Sequence, residues 1–385
     1  MKILQLGKFY PIRGGVEKVM WDLTVGLAER GIRCDMLCAV LPGEQVDEEH
    51  RFMVVKDSPE ALELSMGPYG RVIGVRAVAK KAGTMLSPAM IRWLRRHASE
   101  YDIIHVHHPD PMAALALWCS GYKGRVFLHW HSDILRQKVL LFFYSPLQSW
   151  LIRRAERIIG TTPVYIRESP FLSRVQDKVT YVPIGIQPVI YDPRAAARIR
   201  ALYPGRKIVF ALGRLVPYKG FSTLISAAAR LGSDYIVLIG GKGPLQETLE
   251  RQIAELGVQD RVKMLGFISS EDLPAMFGAC DIFAMSSDQK TEAFGIVQIE
   301  AMSCGKPVVA TRIPHSGVSW VNQDGVSGLN VPPGDPKNFA FAIRRICDTE
   351  TSYQGFAAGA MERYEDIFTS RQMIDKIINV YEKKA

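Results

Sequence analysis

Ten short runs of almost unbroken apolar residues recur along this chain, each separated from the next by a longer stretch with helical periodicity. The first five cover residues 3–6, 35–40, 103–106, 126–130 and 157–160. The second five cover 208–212, 235–239, 262–265, 282–285 and 307–310. A strand that is apolar on both faces has to be covered on both faces. That requirement suits a parallel sheet flanked by helices and argues against an antiparallel sheet with one wet side. Helical periodicity at 16–30, 220–231, 244–256 and 271–277 supplies the covers. Alternating strand and helix predicts an α/β doubly wound architecture.

The alternation starts twice. It fades in YVPIGIQPVIYDP, residues 181–193, and reopens at KIVFALGRL, residues 207–215. A linker is therefore expected at about 184–195. A chain of 385 residues also suits two domains better than one. The expectation is two Rossmann-like domains facing across a cleft. In open α/β sheets, ligands lie at the carboxyl ends of the strands, so the loops there are the ones to search.

The charge is uneven. The formal net charge is +9. Residues 1–190 hold 25 Lys/Arg and 18 Asp/Glu, a net of +7, and the remainder 23 and 21, a net of +2. An acidic partner is thus sought in the first half. The six cysteines form no CxxC pair and no Cys/His cluster. That pattern favours reduced, buried thiols and a cytoplasmic setting over a disulfide framework or a zinc site. MKILQLG at the start already has strand character, which leaves no room for a signal peptide, and no apolar run is long enough to cross a bilayer.

The loops after the strands carry the candidate chemistry. GKFYPIRGGVEKV, residues 7–19, joins the first strand to a helix, with Gly14 and Gly15 at the helix start. Glycines there let backbone N–H groups approach a phosphate at the positive end of the helix dipole. They also suit an ordinary turn, with Glu17 favouring the first helical turn. LGRLVPYKG, residues 212–220, places Arg214 and Lys219 after a strand, where two cations could hold a diphosphate or simply be solvated. IGGKGPL, residues 239–245, adds Gly241 among glycines expected to clear space for a ligand. FLHWHSD and HVHHPDP place five histidines in two strand ends. His129 and His131 lie on one face, with His131 nearer the ligand end. A structural role is the ordinary one for such residues, and no metal-ligand motif accompanies them, so no metal is expected.

A further loop leads into EAFGIVQIE, residues 292–300. A helix is predicted from about Phe294 to Cys304. That puts Glu292 in the preceding loop and Glu300 roughly 9 Å along the helix axis. The free N–H groups of Phe294, Gly295 and Ile296 lie between the two carboxylates and would favour an anion. The spacing fits a ligand with a polar group at each end and a phosphate between. Glu292 as a cap and Glu300 paired with a surface lysine is the plainer alternative.

Together, GGVE, HSD, GRLVPYKG and EAFGIVQIEAMSCGKPVVAT resemble the retaining glycosyltransferases of family 4, which have the GT-B fold. The resemblance spans nearly the whole chain. It implies an N-terminal acceptor-side domain, residues 1–188, completed by a C-terminal helix at about 368–385, and a nucleotide-sugar domain at 189–367. It implies that Gly14 and Gly15 reach the donor diphosphate, and that Arg214 and Lys219 bind it in place of a divalent metal. His131 would position the donor sugar. Glu292 and the Phe294–Gly295 backbone would hold sugar hydroxyls, Glu300 the ribose, and Gly266, Phe267 and Ile268 the base. The implied reaction moves a hexose from a nucleoside diphosphate sugar to an acceptor hydroxyl with retention, the leaving phosphate taking the acceptor proton. No cofactor is implied. The best match is to mannosyltransferases of surface polysaccharide assembly, hence GDP-mannose, with a UDP-hexose as the alternative.

Two basic, apolar segments in the first half, residues 71–97 and 139–154, could rest on an anionic bilayer on the inner face of the membrane and serve a polyprenyl-diphosphate-linked glycan acceptor. Their apolar residues could equally be core faces. Competing functions are a glycosidase, which has no use for Arg214 and Lys219. A nicotinamide dehydrogenase is disfavoured by the missing GxGxxG. A nucleotide-sugar epimerase and a non-catalytic nucleotide-binding protein remain. No recognition helix marks a nucleic-acid partner.

Overall fold

The computed structural model describes residues 1–12, 14–41, 53–57, 61–81, 83–135 and 138–383. The chain divides into two compact units, Met1–Ile184 with Ser370–Ala385, and Gly185–Thr369.

The first unit is built on a nine-stranded sheet. From one edge its strands are Val179–Tyr181, Arg157–Gly160, Arg125–Trp130, Ile103–His108, Lys2–Phe9, Arg33–Val40 and Gly70–Arg76, all parallel. Ala61–Ser65 and Met53–Asp57 then extend it antiparallel. The second unit has six strands, all parallel, in the order Val262–Gly266, Tyr235–Gly240, Lys207–Leu212, Ile282–Met285, Val308–Thr311 and Gly328–Val331. The apolar runs are buried as their composition demands; Ile3, Leu4, Leu6, Phe210, Val237 and Phe283 have essentially no exposed surface.

Each sheet reverses its strand order once in its middle. In the first unit the reversal lies between Lys2–Phe9 and Ile103–His108, and in the second between Lys207–Leu212 and Ile282–Met285. Successive connections run to opposite sides of the sheet at such a point, and the loops leave a crevice at the carboxyl ends.

The basic segment 71–97 is not one amphipathic surface. Its first part is the strand Gly70–Arg76, whose Val72, Ile73 and Val75 are core. A hairpin, Ala79–Lys81 with Thr84–Leu86, follows. Only Pro88–His97 is helical, capped by the Ser87 hydroxyl, which accepts from the Met90 amide at 3.2 Å. Its Arg92, Arg95 and Arg96 are exposed. The alternating cations arise from three different elements.

The last helix, Ser370–Glu382, belongs to the first unit although 185 residues of the second precede it. Met373, Ile374, Ile377 and Tyr381 are buried, and Arg30 meets Asp375 at 2.8 Å. Ile374 fills the space left by Gly26 in the first helix, Gly15–Glu29; a Cβ on Gly26 would come within 2.6 Å of it. Arg125 clasps Glu156 through two bonds of 2.8 and 2.6 Å and donates to the Tyr381 carbonyl at 2.7 Å. Four buried side chains at roughly 1.5–3 kcal/mol each match the whole net stability of an ordinary domain.

Candidate functional site

In the second unit the crevice at the strand-order reversal holds an ion pair. Lys219 Nζ lies 2.5 Å from Glu292 Oε2, with the two side chains 15% and 13% exposed. Lys219 ends the short 3₁₀ turn Pro217–Lys219, and its stem packs over Gly213, Cε being 3.2 Å from where a Cβ would stand. Ser287 donates to the same Glu292 oxygen at 3.2 Å, and Ser316 donates to the Glu292 carbonyl at 2.5 Å. The lysine and the carboxylate come from the loops that follow the two adjacent central strands. Arg214 is exposed, with a 3.4 Å bond to Tyr218 Oη.

The helix after Glu292 runs Ile296–Ser303, two residues shorter at its start than its sequence suggests. Gly295 precedes it at φ 77, a left-handed conformation that cannot continue a helix. A Cβ there would also lie 2.4 Å from Met285 Cε. Glu300 is therefore only about 6 Å along the axis from the first helical residue, not 9 Å. Phe294 is 4% exposed and packs edge-on against Phe368 at 5.9 Å, so its ring is core and only its backbone is offered to a ligand.

At Gly241 a Cβ would come 1.8 Å from the Gly213 carbonyl oxygen, so this glycine clears space for the neighbouring loop. Gly266, at φ 69, has open space where a Cβ would stand. Phe267 beyond it is 69% exposed with Lys242 Nζ 5.6 Å from its ring centre, and Ile268 is half-buried.

In the first unit the crevice is lined by the loops after Lys2–Phe9, Ile103–His108 and Arg125–Trp130. Gly14 caps the first helix in extended conformation. Buried Glu17 folds back onto it, its Oε2 lying 2.5 Å from a notional Gly14 Cβ. The helix N-terminus thus already has a carboxylate beside it. Lys8, at φ 60, donates from its amide to Asp110 Oδ2 and from its Nζ to the Pro109 carbonyl, both at 2.5 Å. Asp110 also caps the next helix, accepting from Met112 and Ala113. Burial raises its carboxyl above the ordinary range, and Lys8 opposes that.

Four imidazoles form a stack beneath this crevice. His129 and His131 lie 4.1 Å apart at 11°, His107 and His131 5.2 Å at 15°, and His105 and His129 5.3 Å at 8°. His129 and His131 thus share a face, as alternation requires. Burial holds His105, His107, His108 and His131 well below the ordinary 6.5 and His129 at about 3; neighbouring imidazoles and Lys8 add to the effect on His107 and His131. All are neutral near pH 7. One nitrogen each of His107, His129 and His131 falls within a 4.8 Å group. Stacked rings, however, direct their in-plane lone pairs side by side, whereas a metal needs them to converge. His107 also has both nitrogens engaged already, at 3.0 Å to His131 and 2.7 Å to Gln5.

Asp133 of the HSD triplet locks the chain after His131. Its Oδ1 accepts from Trp130 Nε1 at 2.9 Å and from Ser169 Oγ at 2.7 Å, while its amide donates to Tyr165 Oη at 2.8 Å. Two residues at this crevice, Gln5 and Lys8, escaped the sequence reading. Gln5 had a signal: it is a lone polar residue inside the apolar run ILQL.

Residues 194–363 match the family model described as glycosyl transferases group 1, and residues 13–189 that described as glycosyltransferase family 4. The chain is 29% identical to O-antigen chain mannosyltransferase C of Escherichia coli over 385 residues, covering 99% of this chain and 98% of that one. It is 29% identical to D-rhamnosyltransferase WbpZ of Pseudomonas aeruginosa, covering 96% and 93%. Among solved structures, Anabaena HepE in complex with UDP superposes with a TM-score of 0.77 at 22% identity over 99% of each chain. That likeness fixes the fold as GT-B.

Proposed function

From the chain's membership of the group 1 glycosyltransferases, to which it belongs, we propose that it moves a mannosyl residue from GDP-mannose to a hydroxyl of a lipid-linked glycan, in polysaccharide assembly and with retention. The observation that carries the reading is the Lys219–Glu292 pair at the switch point of the second unit. Lys219 and Arg214 supply positive charge to a diphosphate leaving group, the electrostatic task that a metal performs elsewhere. Glu292 holds sugar hydroxyls beside the Phe294–Gly295 backbone, with Ile296 opening the helix. Glu300 takes the ribose, and Gly266, Phe267 and Ile268 take the base, with Gly241 closing the loop behind. In the first unit His131 positions the sugar and Gly14 and Gly15 admit the donor. No protein nucleophile is needed if the leaving phosphate accepts the acceptor's proton.

Similarity over full length to a mannosyltransferase supports mannose, and equal identity to a D-rhamnosyltransferase makes the 6-deoxy sugar the rival donor. The test is a binding screen of GDP-mannose, GDP-D-rhamnose and UDP- and ADP-glucose, followed by turnover on a polyprenyl-diphosphate glycan. GDP-mannose should bind at least tenfold more tightly than the UDP and ADP sugars and be the donor turned over. Turnover of a UDP sugar alone would overturn the donor assignment.

The acceptor's lipid asks for a membrane contact. No helix among the described residues is long and apolar enough to cross a membrane. The helix Lys138–Arg154, however, turns Val139, Leu140, Phe142 and Phe143 to solvent, each of the two phenylalanines about three-quarters exposed. Buried apolar area of this kind drives interfacial binding. The wild-type protein should pellet with anionic liposomes at low salt, and Phe142→Ser/Phe143→Ser should weaken that roughly tenfold or more. Wild-type protein left wholly in the supernatant would remove the membrane from the proposal.

A further inference from the structure

The bond chain Gln5–His107–His131 sets a proton as well as a position. Gln5 is fully buried, and its Oε1 has no hydrogen to give, so His107 Nε2 donates to it at 2.7 Å. Neutral His107 has no second proton, and its Nδ1 is a bare lone pair. At 3.0 Å that lone pair accepts from His131 Nε2. Neutral His131 then carries its one proton on Nε2 and leaves Nδ1 bare, with no partner for it among the described residues.

At its other end the amide nitrogen faces two groups that can accept. Gln5 Nε2 donates to Tyr381 Oη at 3.4 Å and faces Cys34 Sγ at 3.7 Å, while Tyr381 Oη and His105 Nδ1 meet at 2.5 Å. With its hydroxyl proton given to His105, Tyr381 is an acceptor toward Gln5. Turned over, the amide would donate to His107, reverse both imidazole bonds and put an N–H at His131 Nδ1.

We propose that Gln5 and His107 are positioning residues that hold His131 in the Nε2–H tautomer, so that His131 offers an acceptor, at Nδ1, to a hydroxyl of the donor sugar. This rests on the reading of His131 as a sugar-binding residue. It makes the requirement directional: the sugar must donate at that contact. A second imidazole fixing a first one's tautomer is the arrangement that carboxylates or carbonyls usually provide for functional histidines.

The test is a long-range ¹⁵N–¹H correlation of the full chain labelled at histidine, with His131 assigned by difference against His131→Ala. The wild type should show His131 as the Nε2–H form throughout pH 6–8. An Nδ1–H His131 in the wild type overturns the proposal. His107→Phe keeps the ring but loses the acceptor. It should mix the tautomers and lower kcat about 10- to 100-fold. His107→Gln, whose amide can donate to Gln5 and accept from His131, should keep the Nε2–H form and recover most of the rate. Equal rates for Phe and Gln at this position would overturn the proposal. Wild-type transfer by His131→Ala would instead overturn the sugar-contact reading, whatever tautomer the spectrum shows.

Discussion

Lys219→Ala is expected to lower kcat for transfer by roughly 10²–10³-fold, the usual consequence of removing one preorganised charge from a developing anion. The structure explains why the loss should exceed that of an exposed lysine. Nζ is mostly buried, is held 2.5 Å from Glu292 and has its stem packed on Gly213, so it is already placed before a ligand arrives. The substitution also leaves a mostly buried carboxylate with Ser287 alone, at a cost of roughly 3 kcal/mol in stability. The two effects can be separated. Lys219→Met with Glu292→Gln restores a neutral pair, so thermal stability should return while transfer stays low. Initial rates and an unfolding curve on the wild type, Lys219→Ala and the double variant decide the matter. Recovery of activity in the double variant would mean that Lys219 serves only to neutralise Glu292. A Lys219→Ala rate within threefold of wild type would remove it from the chemistry.

Mild acid should unfold the first unit while the second remains intact. His105, His107, His108, His129 and His131 are buried and neutral, with folded values far below 6.5. Between 6.5 and those folded values the unfolded chain binds more protons than the folded one. Stability is therefore complete above about pH 6.5 and is lost as the pH falls toward the folded values. Each pH unit costs up to about 1.4 kcal/mol per histidine. At pH 5 five such groups amount to about 10 kcal/mol, the size of a domain's entire stability. Asp110, raised by burial, works in the opposite direction, but it is one group against five. The second unit has a single histidine, His315, and it is exposed. Hydrogen exchange read by peptide should show protection in the first unit collapsing below about pH 5.5, with the second still protected. Retained protection of the first unit at pH 4.5, or simultaneous loss in both, would contradict this account.

The sheet, its parallel sense and the break between the two series are legible in the chain because they depend on burial, and burial dictates composition. Loops with glycines and cations after strands are legible for a similar reason. What is not legible is pairing across the reordered sheet. Lys219 and Glu292 are 73 residues apart and meet only because Lys207–Leu212 and Ile282–Met285 are neighbours in the sheet. The helix start was misplaced because Phe294 is an acceptable helical residue by type, and only the left-handed Gly295 excludes it. The packing of Gly241 against Gly213 is not legible either, because a glycine needed for packing and one needed for a ligand look alike in sequence. The histidines could be put on one face, but their stacking, and the amide of Gln5 that orders their protons, follow from a third strand.

The last helix has a consequence for synthesis. The hydrophobic side chains that complete the first unit leave the ribosome after all 185 residues of the second unit. At ordinary elongation rates that is a delay of about 10–40 s. During it the first unit waits with the seat for Ile374, Ile377 and Tyr381 open, while the second, contiguous in sequence, needs nothing beyond Thr369. The first unit, though made first, is completed last, and a released chain ending at Thr369 should expose the first unit to protease and shield the second.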